Sequence, residues 1–152
     1  MGASVSELLA AQLEQRAKVI LSTVAAWSEE QAAVELHAGG PTGVSTLNHL
    51  VEVTVSTVNA LGGVTREPES ALGFLQARDR FMEVNQELTE MVRACSAEAL
   101  QATPAIEIHP EFAHSLTTRQ AFLLGHVFHL GYHAGQLGSL AARLQRRAAE
   151  TP

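Results

Sequence analysis

The segment FLQARDRFMEVNQELTEMVRAC, residues 74–95, decides the fold class. Phe74, Ala77, Phe81, Val84, Leu88, Met91 and Cys95 alternate steps of three and four over three heptads. That spacing is the buried seam of a helix packed at a shallow angle against neighbours, and acidic and basic residues cover the rest of its circumference. One such seam needs partners, and the chain supplies them on both sides. Upstream, Leu47, Leu50, Val51, Thr54, Val55, Val58 and Leu61 form a second apolar stripe, opened by Ser45 as N-cap and closed by the pair Gly62 and Gly63. Its β-branched residues lower helix propensity and leave a strand open, but the spacing of the large residues decides for helix. Further upstream Leu9, Leu13, Ala17, Ile20, Val24 and Trp27 make a first helix, starting at Ser4 or Ser6. Downstream, Leu123, Val127, Leu130, Ala134, Leu137, Ala141 and Leu144 make the last, capped by Thr117 or Thr118 and running to about Arg147.

The connections are of unequal length. Residues 28–44 contain a possible helical turn from Glu29 and the loop Gly39-Gly40-Pro41-Thr42-Gly43. Residues 64–70 are a loop, with Pro68 expected in the first turn of the next helix. After Ala94 the chain breaks into a possible short turn from Ser96 to Leu100 and then Thr103-Pro104, and Ala105 to Ala113 is an irregular connector in which Pro110 stops any strand. The expectation is one domain over residues 1–152: an all-α four-helix bundle with one or two longer crossover connections.

Composition narrows the function classes. A net charge of −6 with both signs interspersed gives no basic footprint for nucleic acid. No apolar run reaches the ~20 residues of a bilayer span, and the N-terminus has no signal-peptide pattern. The single cysteine, Cys95, excludes an internal disulfide and suits a reducing cytoplasm; it reads as a small residue closing the 74–95 seam.

Chemistry concentrates in the last helix. His126, His129 and His133 lie on one strip of its surface, and the i, i+4 pair His129/His133 has the spacing that lets two imidazoles hold one metal ion. Three buried imidazoles without a common task would leave several polar nitrogens unmet, at ~1–3 kcal/mol each. A third ligand must come from another helix: His49, at the edge of the second stripe, is the first candidate and Glu52 a poorer one. His109 and His114, in the connector, read as solvated. On the far side of the last helix Phe128, Gly131, Gly135, Gly138 and Ala142 form a small-residue track, expected to admit a neighbouring helix or a second subunit. Arg143, Arg146 and Arg147 are expected to answer the negative end of that helix.

The run His129-Leu-Gly-Tyr-His133-Ala-Gly-Gln136-Leu137 resembles the H-x3-H-x-G-Q-[LI] signature of the DinB-like superfamily, and Ser45-Thr-Leu-Asn-His49-Leu50 resembles that family's S-x3-H-L. The resemblance covers nearly the whole chain. It implies a four-helix bundle with a divalent metal, commonly zinc or nickel, held by His49, His129 and His133. It also implies frequent homodimers and kinship with enzymes that use low-molecular-weight thiols such as bacillithiol or mycothiol. The sequence departs from the pattern at Ala134, where the family often has Arg, and His126 is not part of the signature.

The function expected on these grounds is a metal-dependent enzyme, a thiol S-transferase or a hydrolase, in which the ion activates a thiol or water against a small electrophilic molecule. His126 is the candidate general base, and Gln136 a residue that hydrogen-bonds a ligand from outside. The alternative is a non-catalytic, stress-related dimeric bundle that binds metal or a small ligand.

Overall fold

A computed structural model describes residues 2–62, 65–69 and 71–150. Four long helices are present as expected: α1 (Val5–Val24), α3 (Gly43–Leu61), α4 (Phe74–Ala94) and α6 (Arg119–Glu150). Two short ones, α2 (Glu29–Ala32) and α5 (Ala97–Gln101), sit in the connections. The described residues form no strand; Glu35 and Thr42 alone make an isolated bridge.

Each long helix packs on two others. α1 and α3 both lie against α4 and α6, so α1/α3 and α4/α6 are the diagonals of the bundle. Pairs of contacts fix the directions. His49 and Gly62 of α3 meet His129 and Arg119 of α6, so those two run antiparallel. Glu14 of α1 pairs with Arg93 of α4, while Leu21 and Met82 share one groove, which makes that pair antiparallel too. Asn48, near the start of α3, holds Leu72, just before α4, so α3 and α4 run parallel and the chain crosses back between them. This is the longer crossover that the sequence led us to expect. The core is one cluster in which Phe74, Phe81, Leu88, Leu47, Leu50, Leu123 and Leu130 are all fully or almost fully buried.

Several boundaries differ from expectation, each for a local reason. α1 ends at Val24 rather than Trp27: the chain turns there, and the Trp27 ring lies against Gly43 so closely that a Cβ would sit 2.7 Å from it. The N-cap of α3 is Thr42, not Ser45. Thr42 Oγ1 accepts from the Ser45 amide and Ser45 Oγ accepts from the Thr42 amide, so Ser45 is the third helical residue of the same reciprocal cap. Gly62 closes α3 at φ 92°, a conformation open to glycine; Gly63 lies outside the described residues. Pro68 is in the coil and not in the first turn of α4, which starts six residues later. Arg143 does not serve the end of α6; it donates to the carbonyls of Glu35 and Leu36 and ties α6 to the 33–42 loop. The glycine track finds no close neighbour among the described residues: none of them lies within 4 Å of a Cβ placed at Gly135 or Gly138, and Gly131 faces the Arg16 side chain.

Asn48 is one tether of the crossover, as Asn59 is at Arg66. Asn48 Oδ1 accepts from the Leu72 amide at 2.9 Å, and its Nδ2 donates to the Leu72 carbonyl at 2.9 Å and the Val44 carbonyl at 3.0 Å. These bonds hold Leu72 beside Ala71, whose φ of 58° is left-handed and costs of order 1–3 kcal/mol. We expect Asn48→Ala to lower unfolding free energy by about 1–3 kcal/mol in a urea titration, since the Leu72 groups lose their partner. A loss below about 0.5 kcal/mol would mean that the tether is dispensable.

Candidate metal centre

Helix α3 presents His49 from its second turn, and α6 presents His129 and His133 one turn apart. The antiparallel register brings the three together across 80 residues of sequence. His129 Nε2 lies 2.9 Å from His49 Nε2 and 3.0 Å from His133 Nε2. The three ligand atoms fall within 4.8 Å of one another. Two zinc–imidazole bonds of about 2.0–2.1 Å span at most ~4.2 Å, so one ion can bridge either short pair.

Proton positions make the cluster more telling. Gln136 Nε2 donates to the Tyr132 hydroxyl at 2.8 Å, which turns Gln136 Oε1 toward His133 Nδ1, also at 2.8 Å. The proton of His133 is therefore on Nδ1, and its Nε2 offers a lone pair to the centre. Glu52 approaches His49 Nδ1, at 3.8 Å, and not the Nε2 that faces the cluster. At that distance it makes no hydrogen bond, and it stands outside the ligand cluster with both side chains about half exposed. His129 Nε2 has one proton or one lone pair, yet it meets two nitrogens. At most one of those contacts is a good hydrogen bond, and a cation accepting all three lone pairs resolves the other.

The imidazoles of α6 are kept uncharged. Burial, then the neighbouring His133 and His49, lower the His129 pKa to about 4. Burial lowers His133 as well, partly opposed by its bond to Gln136. His126 is the most buried and is pushed down to about 3 by burial and then by His129. Neutral imidazole is the metal-binding form.

The strip of three splits in the folded protein. His126 is not part of the cluster; its Nε2 faces the Thr54 hydroxyl at 3.5 Å, and that hydroxyl already donates to the Leu50 carbonyl. His109 and His114 are exposed in the connector and are not part of the cluster. Cys95 ends α4 half-buried, and desolvation raises its thiol pKa. Tyr132 was not singled out by sequence reasoning. Its spacing from Gln136, i to i+4 on one helix, is the signal that could have found it.

A cavity of about 410 Å³ adjoins His129 and His126, and another of about 420 Å³ adjoins His49. A larger groove of about 620 Å³ between α1 and α4 contains none of the histidines. No helix among the described residues is long and apolar enough to cross a membrane. The family model of the DinB superfamily matches residues 12–137, a span that contains His49, His126, His129, His133 and Gln136. No curated protein matches the chain.

The lowered pKa values set a pH dependence. Below pH 6.5 an unfolded chain takes up protons on these histidines, while the folded metal-free protein keeps His129 neutral to about 4 and His126 to about 3. The unfolded state binds more protons in that window, so stability is full above 6.5 and falls as pH drops toward 4. We expect the melting temperature of chelator-treated protein to drop by several degrees between pH 7.5 and 5, and to drop less in His126→Gln. Equal slopes in the two proteins would show that His126 contributes nothing to the acid sensitivity.

Proposed function

The chain belongs to the DinB superfamily, and from that premise we propose that His49, His129 and His133 hold one divalent cation, zinc or nickel, in a metal-dependent enzyme. The reaction is transfer of a low-molecular-weight thiol to a small electrophile, with hydrolysis as the sibling outcome when water replaces the thiol. In the transfer, sulfur bonds to the electrophilic carbon, the leaving group departs with the bonding electron pair, and the thiol proton passes to solvent. A divalent ion at the three imidazoles lowers the pKa of a thiol or water beside it and so supplies a nucleophile at neutral pH. The observation that carries the reading is the convergence of three Nε2 atoms, with the His133 proton held on the opposite nitrogen by Gln136.

The residues around the cluster have separate tasks. Gln136 and Tyr132 fix the ring of His133. His126 lines the 410 Å³ cavity, where a bound molecule would meet it. A general base works best with a pKa near the working pH, and a value of about 3 makes His126 a weak proton acceptor. We therefore assign it the orientation of a bound molecule through a hydrogen bond, in place of the general-base role. Cavities on both flanks favour a catalytic centre over a sealed structural ion.

Metal analysis and turnover test this together. Wild type should carry one equivalent of zinc or nickel and His133→Ala almost none, while Gln136→Ala should bind about 10–100-fold more weakly. Conjugation of monochlorobimane to a low-molecular-weight thiol should collapse on chelation and return with added metal. Turnover that persists unchanged in stripped protein would overturn the catalytic reading.

A homodimer is also part of this proposal. Phe128 and Tyr132, 77% and 63% exposed, share a face of α6 with the open Gly135. Burying that face against a second copy would remove apolar surface from water. Light scattering should then show a dimer for wild type and a monomer for Phe128→Glu; a wild-type monomer at high concentration would sink it.

A further inference from the structure

The two grooves beside the imidazole cluster differ in charge. On the His49 flank the cavity of about 420 Å³ is bordered by Glu52, Asn48 and Ser45. On the His129 flank the cavity of about 410 Å³ is walled by Val53, Phe112, Leu116 and Phe122, with His126 and His129 beside them. Among the described residues, no Asp, Glu, Lys or Arg lines this second cavity. The threonine hydroxyls nearby are already committed to backbone: Thr57 donates to the Val53 carbonyl at 2.7 Å, and Thr54 to the Leu50 carbonyl at 2.6 Å. An ion entering here would lose its hydration and meet no counter-charge from the walls. An uncharged apolar body would instead bury its surface against two aromatic rings and two aliphatic side chains. The volume lies within the ~300–1,000 Å³ of small-molecule sites.

We infer that this groove between α3, α6 and the 109–116 turn binds the electrophilic substrate, and that the substrate is an uncharged molecule with an apolar or aromatic body. This rests on the metal-dependent reading above, because it takes the His129 end of the groove as the place of reaction. The polar flank beside His49 is left to the nucleophile. Phe112, half exposed on the connector, and Phe122 on α6 face the same cavity and set how large a body it admits.

Gly125 gives a direct means of blocking the groove. It lines the cavity, and a Cβ added there meets only Leu116 Cδ2 at 3.5 Å, an ordinary contact. Gly125→Leu should therefore fold at least as well as wild type, since leucine is the better helix former, while its side chain fills the space. Ser56→Trp, placed on α3, fills it from the opposite wall.

The test uses two fluorescent probes with one anilinonaphthalene body: neutral N-phenyl-1-naphthylamine and anionic 8-anilino-1-naphthalenesulfonate. Both are titrated into the full chain, metal-stripped and zinc-loaded. The neutral probe should saturate at one per chain and bind at least ten times more tightly than the sulfonate. Both Gly125→Leu and Ser56→Trp should weaken it at least tenfold, with melting temperature and metal content as in wild type. Equal binding of the two probes, or neutral-probe affinity unchanged in a folded blocking variant, would overturn the inference. A chain that retains no metal would defeat the enzymatic reading alone, because the probe comparison in stripped protein still decides the groove.

Discussion

Two imidazole nitrogens brought within hydrogen-bonding distance of a third cannot both be satisfied by the single proton or lone pair that it carries. His129 Nε2 touches both His49 Nε2 and His133 Nε2, and the Gln136–Tyr132 relay has already drawn the proton of His133 to its far side. In a partly buried setting such lone pairs repel, and the arrangement is stable when a cation takes them. The surrounding structure serves this constraint. The antiparallel register of α3 on α6 sets the meeting point, the reciprocal Thr42–Ser45 cap fixes where α3 begins, and Asn48 anchors the crossover next to His49.

Burial has a second effect on the same residues. It holds His129 and His133 uncharged, the form that binds metal, and lowers the basicity of His126. One element therefore carries two kinds of histidine. Those whose Nε2 atoms face the junction with α3 can bind, and the one turned toward Thr54 lies in the wall of an apolar groove. The charge contrast between the two flanks follows from which helix faces border them: Glu52 extends from the outer face of α3, whereas the connector contributes Phe112 and Leu116 on the other side.

Much of this was legible in the sequence, because helical periodicity is a local property. The steps from Phe74 to Cys95 and from Leu123 to Leu144 required long amphipathic helices, and those helices are present. The i, i+4 spacing of His129 and His133 required adjacent rings, and they are adjacent. Boundaries were less legible where two residues competed for one role. Ser45 and Thr42 are both good caps, and only the bridge between Glu35 and Thr42 and the packing of Trp27 on Gly43 favour the earlier start. Pro68 was compatible with a first turn, but the Asn48 bonds hold Leu72 in the crossover, and α4 starts only at Phe74. Arg143 looked like a helix-end charge, yet at 32 residues and about 48 Å α6 outreaches its neighbours, and Arg143 meets the 33–42 loop instead.

By itself the sequence determined the helical class, the four amphipathic faces, the pair of histidines one turn apart and the glutamine three residues on, since each depends on spacing within a single helix. Only the tertiary structure decided that His49 completes the cluster while Glu52 stays outside it, that His126 stands apart, and that no charged side chain among the described residues lines one flank. Those outcomes depend on the register and rotation of α3 against α6, which the packing of many distant side chains sets together and no local spacing encodes.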